Sequence, residues 1–341
     1  MMNVAIVILN WNGKDMMKKY LPSVINNSLG EGIKIIVADN GSDDGSLEML
    51  NKEFQEVSVI NLDNNYGFAK GYNLALKQID ADIYVLLNSD VLIKDREWIS
   101  PIIKFMEDNS DVAACQPKIM ALNNPDSFEY AGAAGGFVDK FGYPFCRGRI
   151  FNTIEKDKGQ YEDMSDIMWA SGAALFVRKG VFWSVGGFDD SFFAHMEEID
   201  LCWRIRAIGK RIVYVPQSRV FHLGGASLEQ GNPRKTYLNF RNNLIMLYKN
   251  LDDYSLNSIL RTRKWLDSFA ALSFLLKGDW KNYKAIIKAR KDFKRLVPDL
   301  NKWRSHTSVS NMESKNDRCD FSIIWQYYFK RRNTFDKLPF K

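Results

Sequence analysis

Over the first 120 residues of this 341-residue chain, short runs of aliphatic and β-branched residues alternate with stretches whose apolar positions recur every three or four residues. The runs at 4–9, 33–38, 57–61, 83–87 and 112–119 have strand length, and the stretches at 15–26, 45–54, 69–78 and 98–108 have helical spacing. Strands separated by helices of this size imply βαβ units and a parallel sheet. Ligands of such sheets lie outside the carboxyl ends of the strands. The residues that end these strands are Asn10, Asp39 with Asn40, and Asn88 with Asp90, so the pattern places them along one edge, the expected site.

From about 123 to 166 the pattern breaks into Gly, Pro and aromatic residues, as in AGAAGGFVDKFGYPF, which predicts loops and short hairpins suited to acceptor recognition. Regular spacing then predicts a strand over 168–179, a helix over 197–209 and a strand over 211–215 that Pro216 stops. Beyond residue 232 the chain reads as helical to about 296. The expected division is a catalytic domain over 1–250 and a basic helical C-terminal region over 251–341.

Composition narrows the class. With 46% hydrophobic and 26% charged residues the chain can bury a large core, which argues against a disordered or fibrous protein. Its longest uncharged apolar runs, 1–13 and 268–276, fall short of the ~20 residues of a spanning helix. The N-terminus lacks the basic and small-residue marks of a signal peptide, and four scattered cysteines without CxxC spacing fit reduced thiols, so a cytoplasmic protein is expected. The net charge of +6 hides an asymmetry: residues 249–341 carry 21 Lys and Arg against 10 Asp and Glu, the rest 26 against 31. A basic tail on a mildly acidic body suggests an anionic surface as partner, and a solvated helical face gives the same count. Nucleic acid is not expected, because no recognition fold accompanies the charge.

Several strings carry chemistry. Asp39 offers two acceptor oxygens suited to the N3–H of a uracil or thymine ring, although an Asx turn would use the same residue. The strings VILNWNG (7–13), VADNGSDDGS (37–46), NNYGFAKGYN (64–73), LLNSD (86–90), GGFDDSFFAHMEEIDLCWRIRAIG (186–209) and HLGGAS (222–227) occur in this order. Together they resemble the family 2 inverting glycosyltransferases, most closely the rhamnosyltransferase-like branch, over roughly residues 3–250. The resemblance implies a nucleotide-diphospho-sugar transferase (GT-A type) α/β fold, with a mostly parallel central sheet and a helical C-terminal region.

It further implies a residue for each task. The nucleobase contact falls on Asp39 and the binding loop on Asn10, with Asn65, Gly67 and Lys70 near the ribose and phosphates. Gly67 and Gly71 would let backbone approach the ligand, and Lys70 would give a phosphate a point charge. Asn88-Ser89-Asp90 matches the family's metal motif, with Asn88 where the better-known form has Asp. Asp90 and His222 with diphosphate oxygens would suit Mn²⁺ or Mg²⁺. The Glu-Asp pair of the family matches Glu197-Glu198, with the general base on Glu198, although the longer side chain leaves Glu197 in contention. Asp200 shares that helical face and would hold the acceptor or Arg204. Trp169 and Gly172 match the acceptor-side strand, where the Trp would stack on a sugar or fill core. Arg241, expected to be buried, would support the diphosphate or the catalytic loop. Lys281, Lys284, Lys288, Lys291 and Arg295 form a basic stripe flanked by Trp280, Tyr283, Ile287 and Phe293, which fits a helix on anionic lipid at the inner face of the membrane.

The function expected is transfer of a sugar, rhamnose first, from a dTDP- or UDP-sugar to a glycan or lipid-linked glycan hydroxyl with inversion, in bacterial surface polysaccharide synthesis. Of the rivals, a pyrophosphorylase would need a Gly-rich basic loop after the first strand, and a nicotinamide oxidoreductase a GxGxxG. A catalytically inactive nucleotide-sugar-binding or scaffold protein would be free to lose Asp90, Glu198 and His222.

Overall fold

A computed structural model describes residues 2–224, 231–306 and 318–340. The first half runs β1 (Val4–Asn10), α1 (Lys14–Ser28), β2 (Ile33–Asn40), α2 (Ser46–Glu53), β3 (Ser58–Leu62), α3 (Gly67–Leu76), β4 (Ile83–Leu87), β5 (Val91–Leu92) and α4 (Ser100–Asp108). Then come β6 (Val112–Ala121), β7 (Asn124–Phe128), β8 (Gly136–Val138), β9 (Pro144–Cys146), β10 (Arg149–Ile150), β11 (Thr153–Ile154) and β12 (Ser165–Asp166). The remainder is β13 (Ala174–Arg178), α5 (Lys179–Ser184), α6 (Glu197–Ala207), β14 (Arg211–His222), α7 (Pro233–Asn250), α8 (Asp253–Leu276) and α9 (Trp280–His306).

β1 and β4 read as unbroken aliphatic runs because both their faces are covered, as a central strand of a doubly covered sheet requires. The main sheet orders β12-β14-β6-β13-β4-β1-β2-β3, with β5 and β7 attached at its margin. β1, β2, β3 and β4 are parallel, β14 is parallel to β6, and β13 lies antiparallel between β4 and β6. The register sets Asn10 beside Asp39 and Leu87 beside Ala174. The carboxyl ends of β1, β2, β4, β6 and β14 and the start of β13 therefore share one edge.

Two sequence expectations change. The strand expected over 168–179 is shortened to β13, because residues 168–173 turn across the edge of the sheet before pairing begins. Pro216 does not stop a strand: between Val215 and Arg219 the register of β14 against β6 shifts, and pairing resumes to His222. A bulge removes the need for a ladder donor where Pro has none. The 123–166 segment contains hairpins, as expected, and four of its strands form a separate antiparallel sheet, β11-β10-β9-β8.

The chain after residue 250 packs onto the body. α9 lies along α7, and residues 318–340 return to the small sheet, where Phe321, Ile323 and Leu338 are buried with Phe145 and Ile150. Phe335 and Phe340 set their rings against Phe137, with centroids 5.0 and 5.5 Å away. Cys319 N–H donates to Val138 C=O at 2.9 Å and Ile323 N–H to Asp139 Oδ2 at 2.9 Å.

Candidate active site

At the β1–β2 end of the edge, Asn10 and Asp39 are buried and bonded, Asn10 Nδ2 donating to Asp39 Oδ2 at 2.9 Å. The other Asp39 oxygen accepts from Ser42 N–H at 2.9 Å, which is the Asx turn. Asn10 Oδ1 has no partner among the described residues. Asn40 closes the turn before α3: it accepts from Tyr66 N–H at 3.1 Å and donates to Gly67 C=O at 3.2 Å. Asn65 Oδ1 accepts from Gly67 N–H at 2.9 Å, and Lys70 Nζ lies 4.8 Å from the Tyr66 ring centroid. Asn10, Asp39, Asn65, Gly67 and Lys70 thus come together as expected. The reason for Gly67 differs, since it sits at φ 78° and a Cβ there would lie 2.5 Å from the Phe193 ring. The missing Cβ lets the loop at Phe193 pack against the start of α3.

Asp90 follows β4, and His222 ends β14 directly opposite Val91. His222 Nε2 is 3.1 Å from Asp90 Oδ1 and 3.3 Å from Asn88 Nδ2, while Gly224 N–H donates to Asp90 Oδ2 at 3.2 Å. On the far side of the ring, Nδ1 lies 3.4 Å from Glu129 Oε1. Burial alone would push this imidazole down, yet the two carboxylates outweigh it and hold the pKa up at about 10. Burial also works against the Asp90 carboxylate, and the His222 contact with backbone N–H groups brings its pKa below the ordinary value. Glu129 was not singled out by the sequence: it follows β7 in a Gly-rich stretch without periodicity. Of the HLGGAS string, residues 225–227 lie outside the described residues.

Asp90 and His222 fit a divalent cation in part. A carboxylate and an imidazole converge there, with Glu129 behind the ring to orient it, as second-shell carboxylates do for metal-bound histidines. Among the described residues no three His, Cys, Asp or Glu side chains form a metal-holding group, so diphosphate and water would complete the shell.

The segment that leads into α6 is strained. Phe193, His195 and Met196 have φ of 62°, 69° and 75°, a region that costs L-residues free energy unless their surroundings enforce it. Two elements, α3 and α7, do so. Asn73 of α3 accepts from Phe188 N–H and donates to Phe188 C=O, at 3.0 and 2.8 Å. Phe68 N–H donates to Phe193 C=O at 2.6 Å. Asn242 of α7, wholly buried, points its amide at the carbonyls of Phe192, Ala194 and His195 at 2.9, 2.8 and 2.8 Å.

This held loop delivers Glu197 and Glu198 at the start of α6. Glu197 is buried, one oxygen without a partner, and burial with the neighbouring Glu198 raises its pKa well above the ordinary value. Glu198 is partly exposed, its Cβ 3.9 Å from where a Gly172 Cβ would stand, and burial raises its pKa to about 7. Burial pushes His195 down to about 4, helped by the charge of Lys235. Lys235, another residue the sequence reading passed over, interacts electrostatically with Glu129 as well, and burial lowers its own pKa.

At three positions the structure realises the other alternative expected, in place of a ligand contact. Trp169 is a core residue: it is buried, its Nε1–H donates to Phe137 C=O at 3.0 Å, and its ring covers Gly136 too closely for any Cβ. Asp200 is wholly buried and bound to Arg204, Lys249 and Asn250, with no surface left for an acceptor. Arg241 is only half-buried and has no carboxylate partner; it donates to Asn242 Oδ1 at 2.8 Å and Ser191 C=O at 2.8 Å, which makes it a support of the loop.

Comparison with known proteins identifies the family. The family model of glycosyl transferase family 2 matches residues 5–186. The chain belongs to glycosyl transferase family 2. This glycosyltransferase is 26% identical over 241 residues to the N-acetylglucosaminyl-diphospho-decaprenol L-rhamnosyltransferase of Mycobacterium tuberculosis, covering 64% of this chain and 75% of that protein. It is 27% identical over 230 residues to the rhamnosyltransferase WbbL of Escherichia coli, covering 64% and 83%. Its fold is GT-A, shared with S. aureus TarS solved with UDP-GlcNAc (TM-score 0.57, 17% identity, 86% of this chain and 80% of that one). A mannosyltransferase of Pyrobaculum calidifontis solved with GDP-Man and Mn²⁺ shares it too (TM-score 0.53, 12% identity, 91% and 82%).

Proposed function

We propose that this glycosyltransferase moves a sugar, rhamnose first, from a dTDP- or UDP-sugar to a hydroxyl of a glycan or lipid-linked glycan, with inversion, in the synthesis of a surface polysaccharide. The observation that carries the reading is Glu198, half-buried with its Cβ beside Gly172, a carboxylate oxygen without a hydrogen-bond partner among the described residues, and a pKa raised by burial to about 7. The rhamnosyltransferase names of the M. tuberculosis and E. coli relatives support the choice of sugar.

In this reading the nucleobase takes a remaining lone pair of Asp39 through N3–H, and Asn10 Oδ1 is free to accept from the nucleotide. Lys70 and Lys235 supply positive charge on either side of the diphosphate. Glu198 takes the proton of the acceptor hydroxyl as its oxygen bonds to the anomeric carbon and the bond to the diphosphate oxygen breaks on the opposite face. Glu197, kept neutral, adds no second negative charge beneath it. Asp90 and His222 would hold Mn²⁺ or Mg²⁺, which when bound neutralises the departing diphosphate, and the imidazole must give up a proton to ligate it.

Thermal melting against dTDP- and UDP-sugars, with and without Mn²⁺, tests the donor, because a ligand that binds only the native state raises its midpoint. A rise with one of these nucleotides, abolished in Asp39→Ala, is expected; unchanged melting with all of them contradicts the reading. Anomeric inversion is checked by NMR of the product.

A further inference from the structure

We propose that the α8–α9 hairpin is a docking surface for an anionic phospholipid bilayer, with the outer face of α8 inserting at the level of the headgroups. α8 has two apolar faces. Leu256, Ile259 and Ala271 are buried on one, beside the Arg263–Asp267 pair. On the opposite face Trp265, Phe269, Leu272 and Leu276 are 67%, 63%, 46% and 79% exposed. Their spacing of four, three and four keeps them in a single row about 16 Å long at ~1.5 Å per residue. Past the turn at Gly278, α9 adds Trp280, 59% exposed, and Ile287, 47% exposed. Large side chains left in water in such a row mark a surface with an occupant.

Charge identifies that occupant. The basic stripe on α9 is exposed where the sequence placed it, at Lys281, Lys284, Lys288 and Lys291, and Lys264 and Lys277 add exposed cations on α8 and at the turn. Between residues 261 and 291 the acidic side chains are Asp267, sealed inside by Arg263 and Arg290, and Asp279, which caps Asn282 N–H. Phe293, expected beside the stripe, is instead buried in the core. A second copy of this chain on the same face would set lysines against lysines. An anionic bilayer meets both demands, since it takes an aromatic and aliphatic row at its boundary and attracts the cations beside it. Among the described residues no helix is long and apolar enough to cross a membrane, so the hairpin would lie in the interface. The inference stands apart from the choice of donor, sugar and base.

The test is sedimentation of the full chain with vesicles of phosphatidylcholine alone and of phosphatidylcholine mixed equally with phosphatidylglycerol. The expected result is binding to the mixed vesicles only. Trp265→Ser, Phe269→Ser and Leu272→Ser together should weaken it by about tenfold or more, as should Lys281→Glu with Lys284→Glu and Lys291→Glu. These side chains are exposed, so unchanged melting by circular dichroism verifies each variant. Wild-type protein left in the supernatant with mixed vesicles at low salt overturns the proposal. So does wild-type binding by the serine variant, which would reduce the contact to charge alone. Light scattering that shows a dimer dissociated by the serine substitutions, or a single-stranded oligonucleotide displacing the vesicles through the aromatic row, would also overturn it.

Discussion

Two adjacent glutamates take different environments because neighbouring helical residues point about 100° apart. Glu198 is half-buried with its Cβ beside Gly172, while Glu197 is buried. If Glu198 must be ionised to act, kcat/KM rises with pH up to about 7 and then levels; a profile flat from pH 5 to 8 would exclude it as the base. Glu197 has the opposite consequence, for stability. Its folded pKa lies above the unfolded value, so above the ordinary glutamate range the unfolded chain binds fewer protons and stability falls as pH rises. Glu197→Gln removes that loss. The variant should melt a few degrees above wild type at pH 8 and level with it at pH 4, and a variant less stable than wild type at pH 8 would refute a neutral Glu197.

Elements explain how such a pair is held. The strained loop before α6 is fixed from α3 by Asn73 and from α7 by Asn242, which joins Glu197 and Glu198 to a helix outside the sheet. Asn242→Ala would leave several buried carbonyls without donors, at a cost of about 1–3 kcal/mol. It should lower kcat by about tenfold or more with nucleotide affinity unchanged; wild-type kcat would mean the loop keeps its shape unaided. The polar strand ends Asn10, Asp39 and Asn88 were legible in the sequence, because parallel strands bring their carboxyl ends to one edge whatever the loops do. Glu129 was not, since no spacing rule links a Gly-rich turn to a histidine 93 positions later. Neither were the positive φ values of Phe193, His195 and Met196, residue types that carry no mark of that backbone. Pro216 misled for a related reason, because a bulge shows in pairing and not in composition.

At the scale of the molecule, the basic C-terminal region is part of the catalytic body. α9 packs along α7, the helix that carries Asn242, and residues 318–340 close the aromatic core of the small sheet. Deleting residues 318–341 should expose Phe137 and Phe145 and lower the melting midpoint by several degrees; an unchanged midpoint would show that the small sheet is stable alone. The division expected at residue 250 therefore separates compositions more than structures. The tail is basic where α8 and α9 face outward, and the body is acidic where Asp39, Asp90, Glu129, Glu197 and Glu198 line the edge. The proposed sugar transfer rests on one of these carboxylates, and the single-turnover transfer rate of Glu198→Gln tests it most directly. With donor binding preserved, the rate should fall by about 10²- to 10⁴-fold; a rate equal to wild type would contradict the assignment of Glu198 as the base.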